Sequence, residues 1–425
     1  MLLEFRVRNY RSIRDEVVVS FVASKDKKLA ETHLASTGIT SLPDVLRSAV
    51  IYGPNASGKS TLLQSLFYMR AVVAESATIM QPGQTFNVQP FRLDTEYAKQ
   101  SSEFEITFLS GGVRHQYGFR LTQERIVDEW LLVYRAPKPQ QWFSRRYDEK
   151  SQTYDYEFST HLTGPRKLWQ ETTRPNALFL STAAQLNSEL LGPIFRWLVE
   201  QPVYFAAGLS PLPDLTTQLL QTEVGKQAVR DFLASADISI SDVVSVSRPG
   251  FHQQIMIGPE GPKFSREERE MLMPQFVHKT EHGSATFELH EESEGTQRLY
   301  ALVAPVLDVL KNGRLLIVDE LDRSLHPLLV RRLVRMFHTP ELNPKGAQLL
   351  FSTHDTSLLD RTLFRRDQIW FTEKDQDQAT RLYPLSDFSP RETEAWEKGY
   401  LIGRYGAVPF FNEPMPPIQA PWLMG

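Results

Sequence analysis

One short segment of this sequence has the residue types and spacing to bind phosphate. It consists of Gly53, Pro54, Asn55, Ala56, Ser57, Gly58, Lys59, Ser60 and Thr61. Gly53 and Gly58 let the backbone fold closely around phosphate oxygens, so that its N–H groups form an anion-binding nest. Lys59 is expected to reach the β- and γ-phosphates, and the Ser60 hydroxyl to bind Mg²⁺. Residues 53–60, hereafter the P-loop, predict a site for a nucleoside triphosphate, ATP, with Mg²⁺.

The flanking residues supply the structure that such a loop requires. Residues 49–52 are a short apolar run typical of a buried strand, and residues 59–78 have the helical period. Strand, glycine-rich turn and helix are the context of a genuine P-loop. The N-terminus of the helix directs its positive end at the same place.

A second segment could activate water. Residues 315–318 are all apolar and are followed by Asp319 and Glu320. Asp319 is expected in the Mg²⁺ shell, and Glu320 is placed to act as the general base toward the attacking water. A buried strand with acidic residues at its solvent end is common without any function. In a chain that also has a P-loop, we favour the functional interpretation.

The interval between these two segments indicates the class of ATPase. The first ends at Ser60 and the second begins at Leu315, whereas AAA+ proteins and small GTPases hold them far closer together. The guanine-binding pattern Asn-Lys-x-Asp is also missing. A long interval is typical of ABC-type and SMC-type ATPases, which have lobes inserted between the motifs.

A third segment could approach nucleotide from another subunit. Ser293 is a good N-cap for the helix that follows, and Gly295 would let phosphate approach its first turn. If the two lobes lie apart, this helix reaches a P-loop only in a second subunit docked across a two-fold axis. Taken alone, a plain capped helix is the simpler interpretation. The order of the three motifs favours the nucleotide site.

Two further residues follow the acidic pair. Asp322 would lie at the seam of such a dimer. His354 comes directly after the next apolar strand, where it could bond the γ-phosphate and sense its loss. A lone histidine is more often structural, but this position matches that of a switch histidine.

The remaining pattern predicts an α/β protein in three parts: an ATPase lobe with an antiparallel β subdomain (1–185), an inserted helical lobe (186–284) and a second ATPase lobe with the tail (285–425). Strands are predicted over 2–8, 16–22, 104–109, 115–121, 126–135, 141–147, 177–181 and 285–290. Gly111-Gly112 predicts a hairpin turn. Helices are predicted for most of 186–273, including the segment SREEREMLM.

These residues together resemble the ABC-like ATPases of the SMC, Rad50 and RecF lineage. Within it, the chain resembles AAA15/AAA21-type proteins and the ATPase half of OLD proteins. The resemblance rests on NYRSI, GPNASGKST, TRPNALFLSTAAQLN, ESEGTQRL, LLIVDELDRSLHP, FSTHDTSLLD, RRDQIWFTEKD and YLIGRYGAVP. These segments run through nearly the whole chain.

The resemblance implies an ATP-driven homodimer, or a higher homo-oligomer, with two composite sites. It also implies a Q-loop glutamine that contacts nucleotide and metal. Gln185 is the first choice and Gln89 the weaker alternative. The signature segment ESEGT differs from the LSGGQ of transporters, and no sustained heptad indicates the long coiled coil of SMC proteins.

Members of this family often look like components of anti-phage defence systems, such as the PARIS-type, RloA-type and AbiL-type ATPases. The resemblance therefore implies a sensor that controls a separate effector, a nuclease or toxin. The alternative is a RecF-like or Rad50-like ATPase acting on DNA. A nuclease in this chain is the least favoured hypothesis, because Asp375-Gln376-Asp377 fits the turn of a hairpin better than a TOPRIM motif.

Bulk composition limits the partners. The net charge of −4 gives no global basic field for DNA, although Arg331, Arg332 and Arg335 share a helix face that could bind a partner or DNA. There is no cysteine, so disulfides and thiolate metal sites are excluded. The N-terminus lacks the apolar core of a signal peptide, and no apolar run is long enough to span a membrane. We expect a cytoplasmic protein without a membrane partner.

Overall fold

The structure is a computed structural model that describes residues 1–136, 138–205, 213–236, 240–258, 261–390 and 394–409. The chain divides into two compact units. We call residues 2–200 and the chain from Leu350 onward the P-loop unit. Residues 201–349, together with Met1, form the second unit, which we call the acidic-loop unit after residues 319–325.

The first part of the P-loop unit is rich in antiparallel strands. Its elements are β1 (Leu2–Arg8), β2 (Val17–Ser20), α1 (Ala30–His33), β3 (Leu34–Ala35), β4 (Val45–Leu46), β5 (Ser48–Tyr52), α2 (Lys59–Glu75), β6 (Ser102–Ser110), β7 (Val113–Leu121), β8 (Ile126–Tyr134), β9 (Gln140–Asp148), β10 (Thr153–Phe158), α3 (Arg166–Thr172), α4 (Phe179–Gln185) and α5 (Leu191–Glu200). Seven strands form one sheet in the order β10-β9-β8-β7-β6-β1-β2. The predicted antiparallel β subdomain is thus confirmed.

The hairpin between β6 and β7 has the predicted turn. Ser110 pairs with Val113 across it, and Gly111 and Gly112 have φ angles of 57° and 72°. Two successive left-handed residues match the twist of the flanking strands, and only glycine adopts them without strain.

The predicted strand over 177–181 is wrong, because α4 begins at Phe179. The buried Glu129 carboxylate accepts the backbone N–H of Phe179 at 2.6 Å and that of Leu180 at 2.9 Å. A carboxylate at these first N–H groups satisfies the unpaired donors of a helix N-terminus. Burial raises the pKa of Glu129, and the neighbouring Arg145 opposes this shift. The apolar run carries no sign of a cap that lies some 50 residues earlier.

The acidic-loop unit mixes helices with strands. Its elements are β11 (Pro202–Phe205), α6 (Pro213–Leu219), α7 (Glu223–Ala234), β12 (Asp242–Gly258), β13 (Gly261–Thr280), β14 (Gly283–Glu288), α8 (Glu294–Asn312), β15 (Leu315–Val318), α9 (Pro327–His338) and the start of β16 (Gln348–Ser352). Strand β11 pairs in parallel with β15. Strands β12, β13 and β14 form an antiparallel sheet.

The middle of the chain is less helical than the sequence predicted. Helices α5, α6 and α7 lie where the sequence predicted helical segments, but the predicted helix SREEREMLM is wrong. Ser265 and Met273 lie in β13, opposite Gln254 and Val246 of β12. The segment favours a helix by propensity, and its antiparallel pairing with residues 246–254 of β12 overrides that preference. The boundaries 1–185, 186–284 and 285–425 stay a prediction; the compact units divide after residues 200 and 349.

The C-terminal part of the P-loop unit adds β17 (Ile369–Lys374), β18 (Thr380–Pro384) and α10 (Trp396–Leu401). Strand β17 pairs in parallel with β5 and antiparallel with β18. The Asp375 carboxylate accepts the N–H groups of Asp377 and Ala379, so Asp375-Gln376-Asp377 is the predicted hairpin turn. Among the described helices, none combines the length and the apolar character that crossing a membrane requires.

Candidate functional site

The P-loop has the backbone that the sequence predicted. Strand β5 is buried along its whole length and leads into the loop, and α2 begins at Lys59. Gly58 has a φ angle of 111°, which favours glycine. Ala56 adopts a left-handed φ of 62°, an uncommon conformation for a residue with a Cβ. The predicted strand, loop and helix are therefore confirmed.

Lys59 lies inside the curve of the loop. Its ammonium donates to the carbonyl oxygens of Gly53 at 2.8 Å and Pro54 at 3.1 Å. The side chain is buried, whereas Asn55 and Ala56 are exposed at the tip of the loop. Ser60 and Thr61 are half-buried in the first turn of α2. A buried cation beside a glycine-rich loop at the start of a helix is suited to an anion with several oxygens.

His354 belongs to the same unit and follows β16. Thr353, just before it, donates its N–H to the carbonyl of Ile51 at 3.2 Å. Tyr52 donates its hydroxyl to the carbonyl of Asp355 at 3.2 Å. These bonds place the exposed His354 beside the end of β5, where the P-loop begins. Its role as a switch stays a prediction.

The two glutamines proposed for the Q-loop are linked to α2 through different contacts. Gln185 is exposed at the end of α4, and α4 contacts α2 through a bond from Ser181 to the carbonyl of Val73. Val73 lies 14 residues beyond Lys59, or about 21 Å along a helix. The backbone carbonyl of Gln89 accepts the N–H of Arg11, whose side chain reaches Gln64 near the start of α2. Both assignments stay predictions.

The acidic loop, residues 319–325, follows β15 in the other unit. Asp319 is buried, and its N–H donates to the carbonyl of Phe205 at 3.0 Å. Glu320 has a left-handed φ of 53°. Its carbonyl accepts the N–H of Arg323, and Asp322 in the same way accepts that of Leu325. The chain therefore turns sharply right after the buried strand, at the residue predicted to act as the base.

Arg298, which the sequence analysis did not single out, supports this turn. It is buried in α8 and donates to the carbonyl of Glu320 at 2.5 Å and more weakly to that of Asp319 at 3.4 Å. Its guanidinium also lies over the ring of Phe205. Burial, and then the charge of Arg323, lowers the pKa of Arg298. The only feature of the sequence that could have indicated Arg298 was its position within ESEGTQRL.

Ser293 and Gly295 lie at the N-terminus of α8. The predicted cap is present: the Ser293 hydroxyl accepts the N–H of Thr296 at 3.2 Å. A Cβ at Gly295 would lie 2.7 Å from the carbonyl oxygen of Ser324. Glycine is therefore needed here for the close approach of the acidic loop, a reason that the sequence did not reveal.

Metal binding would rely on oxygen ligands. The Ser60 hydroxyl and the Asp319 carboxylate are hard oxygen donors of the kind that Mg²⁺ prefers. Among the residues that the structure describes, no group of three or more His, Cys, Asp or Glu could hold a metal ion. His278, for example, bonds Glu292 at 2.7 Å.

The site and its setting define a P-loop protein. The sequence matches the model of the AAA_21 family, described as "AAA domain, putative AbiEii toxin, Type IV TA system", over residues 48–360. This match covers the P-loop, the acidic loop and His354. The chain belongs to this family. No curated protein has a significant sequence match to it.

Several solved structures are similar to this chain at low sequence identity. The SMC head domain from Thermotoga maritima has a TM-score of 0.40 and 13% identity, over 90% of this chain and 98% of that one. An SMC head bound to the C-winged helix domain of ScpA gives 0.38 and 12%, over 90% and 97%. CbiO1 from Clostridium perfringens, part of the ABC transporter complex CbiONQ, gives 0.32 and 11%, over 96% and 100%.

Proposed function

We propose that this protein is an ATPase that binds ATP with Mg²⁺ at its P-loop and controls a separate effector protein in a bacterial anti-phage system. The main observation in support of ATP binding is the position of Lys59, whose buried ammonium lies within the glycine loop at the start of α2. Backbone N–H groups, a helix N-terminus and a fixed cation together suit the phosphates of ATP.

Hydrolysis adds water to the γ-phosphorus and releases ADP and phosphate. Glu320 is proposed to take the proton from the attacking water, and Lys59 to stabilise the charge on the phosphate oxygens. Ser60 and Asp319 would hold Mg²⁺, which when bound supplies further positive charge at the phosphates. His354 is the candidate sensor of the γ-phosphate.

Glu320→Gln tests this assignment. Glutamine keeps the shape of the side chain but cannot accept the proton, so ATP should still bind while turnover falls about 100-fold or more. Turnover is measured by phosphate release, and binding by calorimetry. Glu341→Gln, an exposed change in the same unit, should leave turnover unaltered. Full turnover by Glu320→Gln would remove Glu320 as the base.

The helix that begins at Glu294 is proposed to complete the site of a second subunit. Its N-terminal N–H groups and the Ser293 hydroxyl would then face the γ-phosphate across a two-fold axis. ATP should accumulate dimers of Glu320→Gln, measured by light scattering after size exclusion. An unchanged elution profile with ATP would count against a composite site.

Mixed dimers distinguish a shared site from an internal one. Lys59→Ala damages the P-loop of its own chain, and Ser293→Arg damages the proposed contribution to its partner. If sites are shared, each mixed dimer keeps one intact site, so an equal mixture should regain about a quarter of wild-type turnover. If each site is internal, both sites of a mixed dimer are damaged, and the mixture should stay inactive.

The control of an effector rests on the family description, which names a toxin of a toxin–antitoxin system, and on the resemblance of the motifs. Co-expression with the product of each neighbouring gene tests it. One product should co-purify with this ATPase, and its toxicity or nuclease activity should change in Glu320→Gln.

The runner-up function is a RecF-like or Rad50-like ATPase on DNA. Arg332 and Arg335 are exposed on α9 and could contact phosphates. Strong stimulation of turnover by duplex DNA, without any partner from the neighbouring genes, would favour this function over the first.

A further inference from the structure

We propose that Thr372 and Thr380, on the hairpin β17–β18, are positioning residues that fix the shape of the P-loop and thereby its affinity for ATP. This inference rests on the proposed ATP binding. The two threonines do not face the reacting atoms; they contact the loop through its serine and glycines. Both are buried, at 0% and 3% exposure, although the hairpin lies more than 300 residues beyond the loop.

Strand pairing brings Thr372 to the start of the loop. Phe371 pairs with Tyr52, the last residue of β5, in a parallel register. Thr372 therefore comes level with Gly53. Its hydroxyl oxygen lies 2.7 Å from the Ser57 hydroxyl oxygen and 3.2 Å from the carbonyl oxygen of Tyr52.

The antiparallel partner strand brings Thr380 to the end of the loop. Thr380 is the first residue of β18 and pairs with Lys374. Its hydroxyl lies 3.0 Å from the carbonyl oxygen of Ser57. The Ser12 hydroxyl and the Lys374 ammonium lie 2.9 and 3.1 Å from the same threonine oxygen.

The direction of each hydrogen bond follows from the proton count. A carbonyl only accepts, and a threonine hydroxyl has one proton to donate. Thr372 donates to Tyr52, so Ser57 must donate its own proton to Thr372. Thr380 donates to the Ser57 carbonyl, so it accepts from Lys374 and Ser12. Both hydroxyls of the hairpin thus donate their proton to a backbone carbonyl, and Ser57 is held through its side chain and its carbonyl.

The glycines of the loop pack against the same two threonines. A Cβ at Gly53 would overlap the Thr372 carbonyl and hydroxyl, and a Cβ at Gly58 would overlap the Thr380 side chain. The hairpin β17–β18 therefore packs against the P-loop at both of its ends, at Gly53 through Thr372 and at Gly58 through Thr380. A loop held in this way pays little ordering cost when it binds phosphate, which is how preorganisation raises affinity.

Residues 12–14, near the N-terminus, in turn hold the hairpin β17–β18 in place. Thr380 donates its N–H to the Ser12 carbonyl at 2.8 Å. At the tip of the hairpin, Arg14 pairs with Asp377 at 2.6 Å and with Asp375 at 3.5 Å. Residues of the NYRSI and RRDQIWFTEKD segments thus belong to one support that contacts the P-loop at both of its ends.

Valine tests the hydroxyls because it has almost the shape of threonine. Thr372→Val or Thr380→Val should weaken ATP binding about 10-fold, equal to about 1.4 kcal/mol. Thr372→Ser and Thr380→Ser keep the hydroxyl and should stay within about 3-fold of wild type. Thr182→Val is the matched control, since Thr182 is also buried in this unit but bonds the carbonyl of Leu178, just before α4. Affinity is measured by calorimetry with ATP and Mg²⁺.

Ser57→Ala breaks the Thr372 bond from the loop side and needs no change in the hairpin. If the threonine acts through this serine, Thr372→Val combined with Ser57→Ala should bind ATP no more weakly than the weaker single variant, within about 2-fold. Ser57→Ala alone also tests the proposal if a valine variant fails to fold.

Wild-type affinity in the valine variants, or equal losses in Thr372→Val and Thr182→Val, would overturn the proposal. So would multiplicative losses in the double variant. If wild-type protein itself binds no ATP, the proposed function fails, which is a different result from a failure of the hairpin to matter.

Discussion

The P-loop and the acidic loop both follow a fully buried strand, yet different parts of the chain hold them. The P-loop is held by Thr372 and Thr380, which lie 315 and 323 residues from Ser57 along the sequence. The acidic loop is held by Arg298, which lies 22 residues before Glu320. One support is distant in sequence and the other is local.

The difference bears on when each loop acquires its shape. A local contact closes a short segment at little entropic cost, whereas the contacts of the P-loop need both ends of the P-loop unit in place. We therefore expect the geometry around Ser57 to depend on the folding of its whole unit. The turn at Glu320 depends on α8, which supplies Arg298, and on β11, whose Phe205 carbonyl accepts the Asp319 N–H.

Lys59→Ala should give the largest effect. The change removes the buried ammonium and its bonds to the Gly53 and Pro54 carbonyls. ATP affinity should fall at least about 100-fold, or about 2.7 kcal/mol. Lys167→Ala serves as the control, because that lysine is exposed in the same unit. Calorimetry measures both; a loss below about 3-fold for Lys59→Ala would show that the P-loop binds phosphate without its lysine.

Sequence patterns predicted the parts of this fold whose cause is local. The P-loop context, the Gly111-Gly112 turn, the hairpin at Asp375 and the cap at Ser293 each depend on residues a few positions apart. Periodicity and turn chemistry contain that information.

The parts that sequence did not predict depend on partners far along the chain. Glu129 turns a predicted strand into α4, and pairing with β12 turns a predicted helix into β13. Thr372 and Thr380 gave no signal, because a threonine that bonds a loop 300 residues away looks like any other threonine in a strand. Arg298 was visible only as one letter of a family motif. A contact between residues far apart in the chain produces no periodic pattern in the sequence, so pattern analysis cannot detect it.

Arg298→Met should give an intermediate effect in the acidic-loop unit. Methionine keeps much of the volume but removes the charged donor to the Glu320 carbonyl, which keeps only the N–H of Arg323. A hydrogen bond from a charged group contributes about 1.5–3 kcal/mol. Turnover should fall about 10-fold while ATP affinity changes less than about 2-fold. Lysine should restore part of the turnover, because it can still donate one bond to the carbonyl.

The control for this change is Arg332→Met, at an exposed arginine of α9 in the same unit. It should leave turnover and thermal stability close to wild type. If Arg298→Met also behaved as wild type, the acidic loop would not need its local support, and the contrast with the P-loop would disappear.

Gly295→Ala should give the smallest change in turnover. It also separates the acidic loop from the P-loop most clearly. Alanine is more favourable in a helix than glycine by about 1 kcal/mol, so the substitution should stabilise α8 itself. The new Cβ would nevertheless lie 2.7 Å from the Ser324 carbonyl oxygen, closer than such atoms approach. The acidic loop must therefore shift, and we expect turnover to fall about 3-fold with little change in overall stability.

Hydrogen exchange locates this shift. Residues 320–325 should exchange faster in Gly295→Ala, whereas residues 53–60 should exchange as in wild type. Gly283→Ala is the matched control, since a Cβ there meets nothing within 4 Å. Faster exchange at the P-loop as well would mean that the two loops share a support, because only a common support could pass a displacement at Ser324 to Ser57.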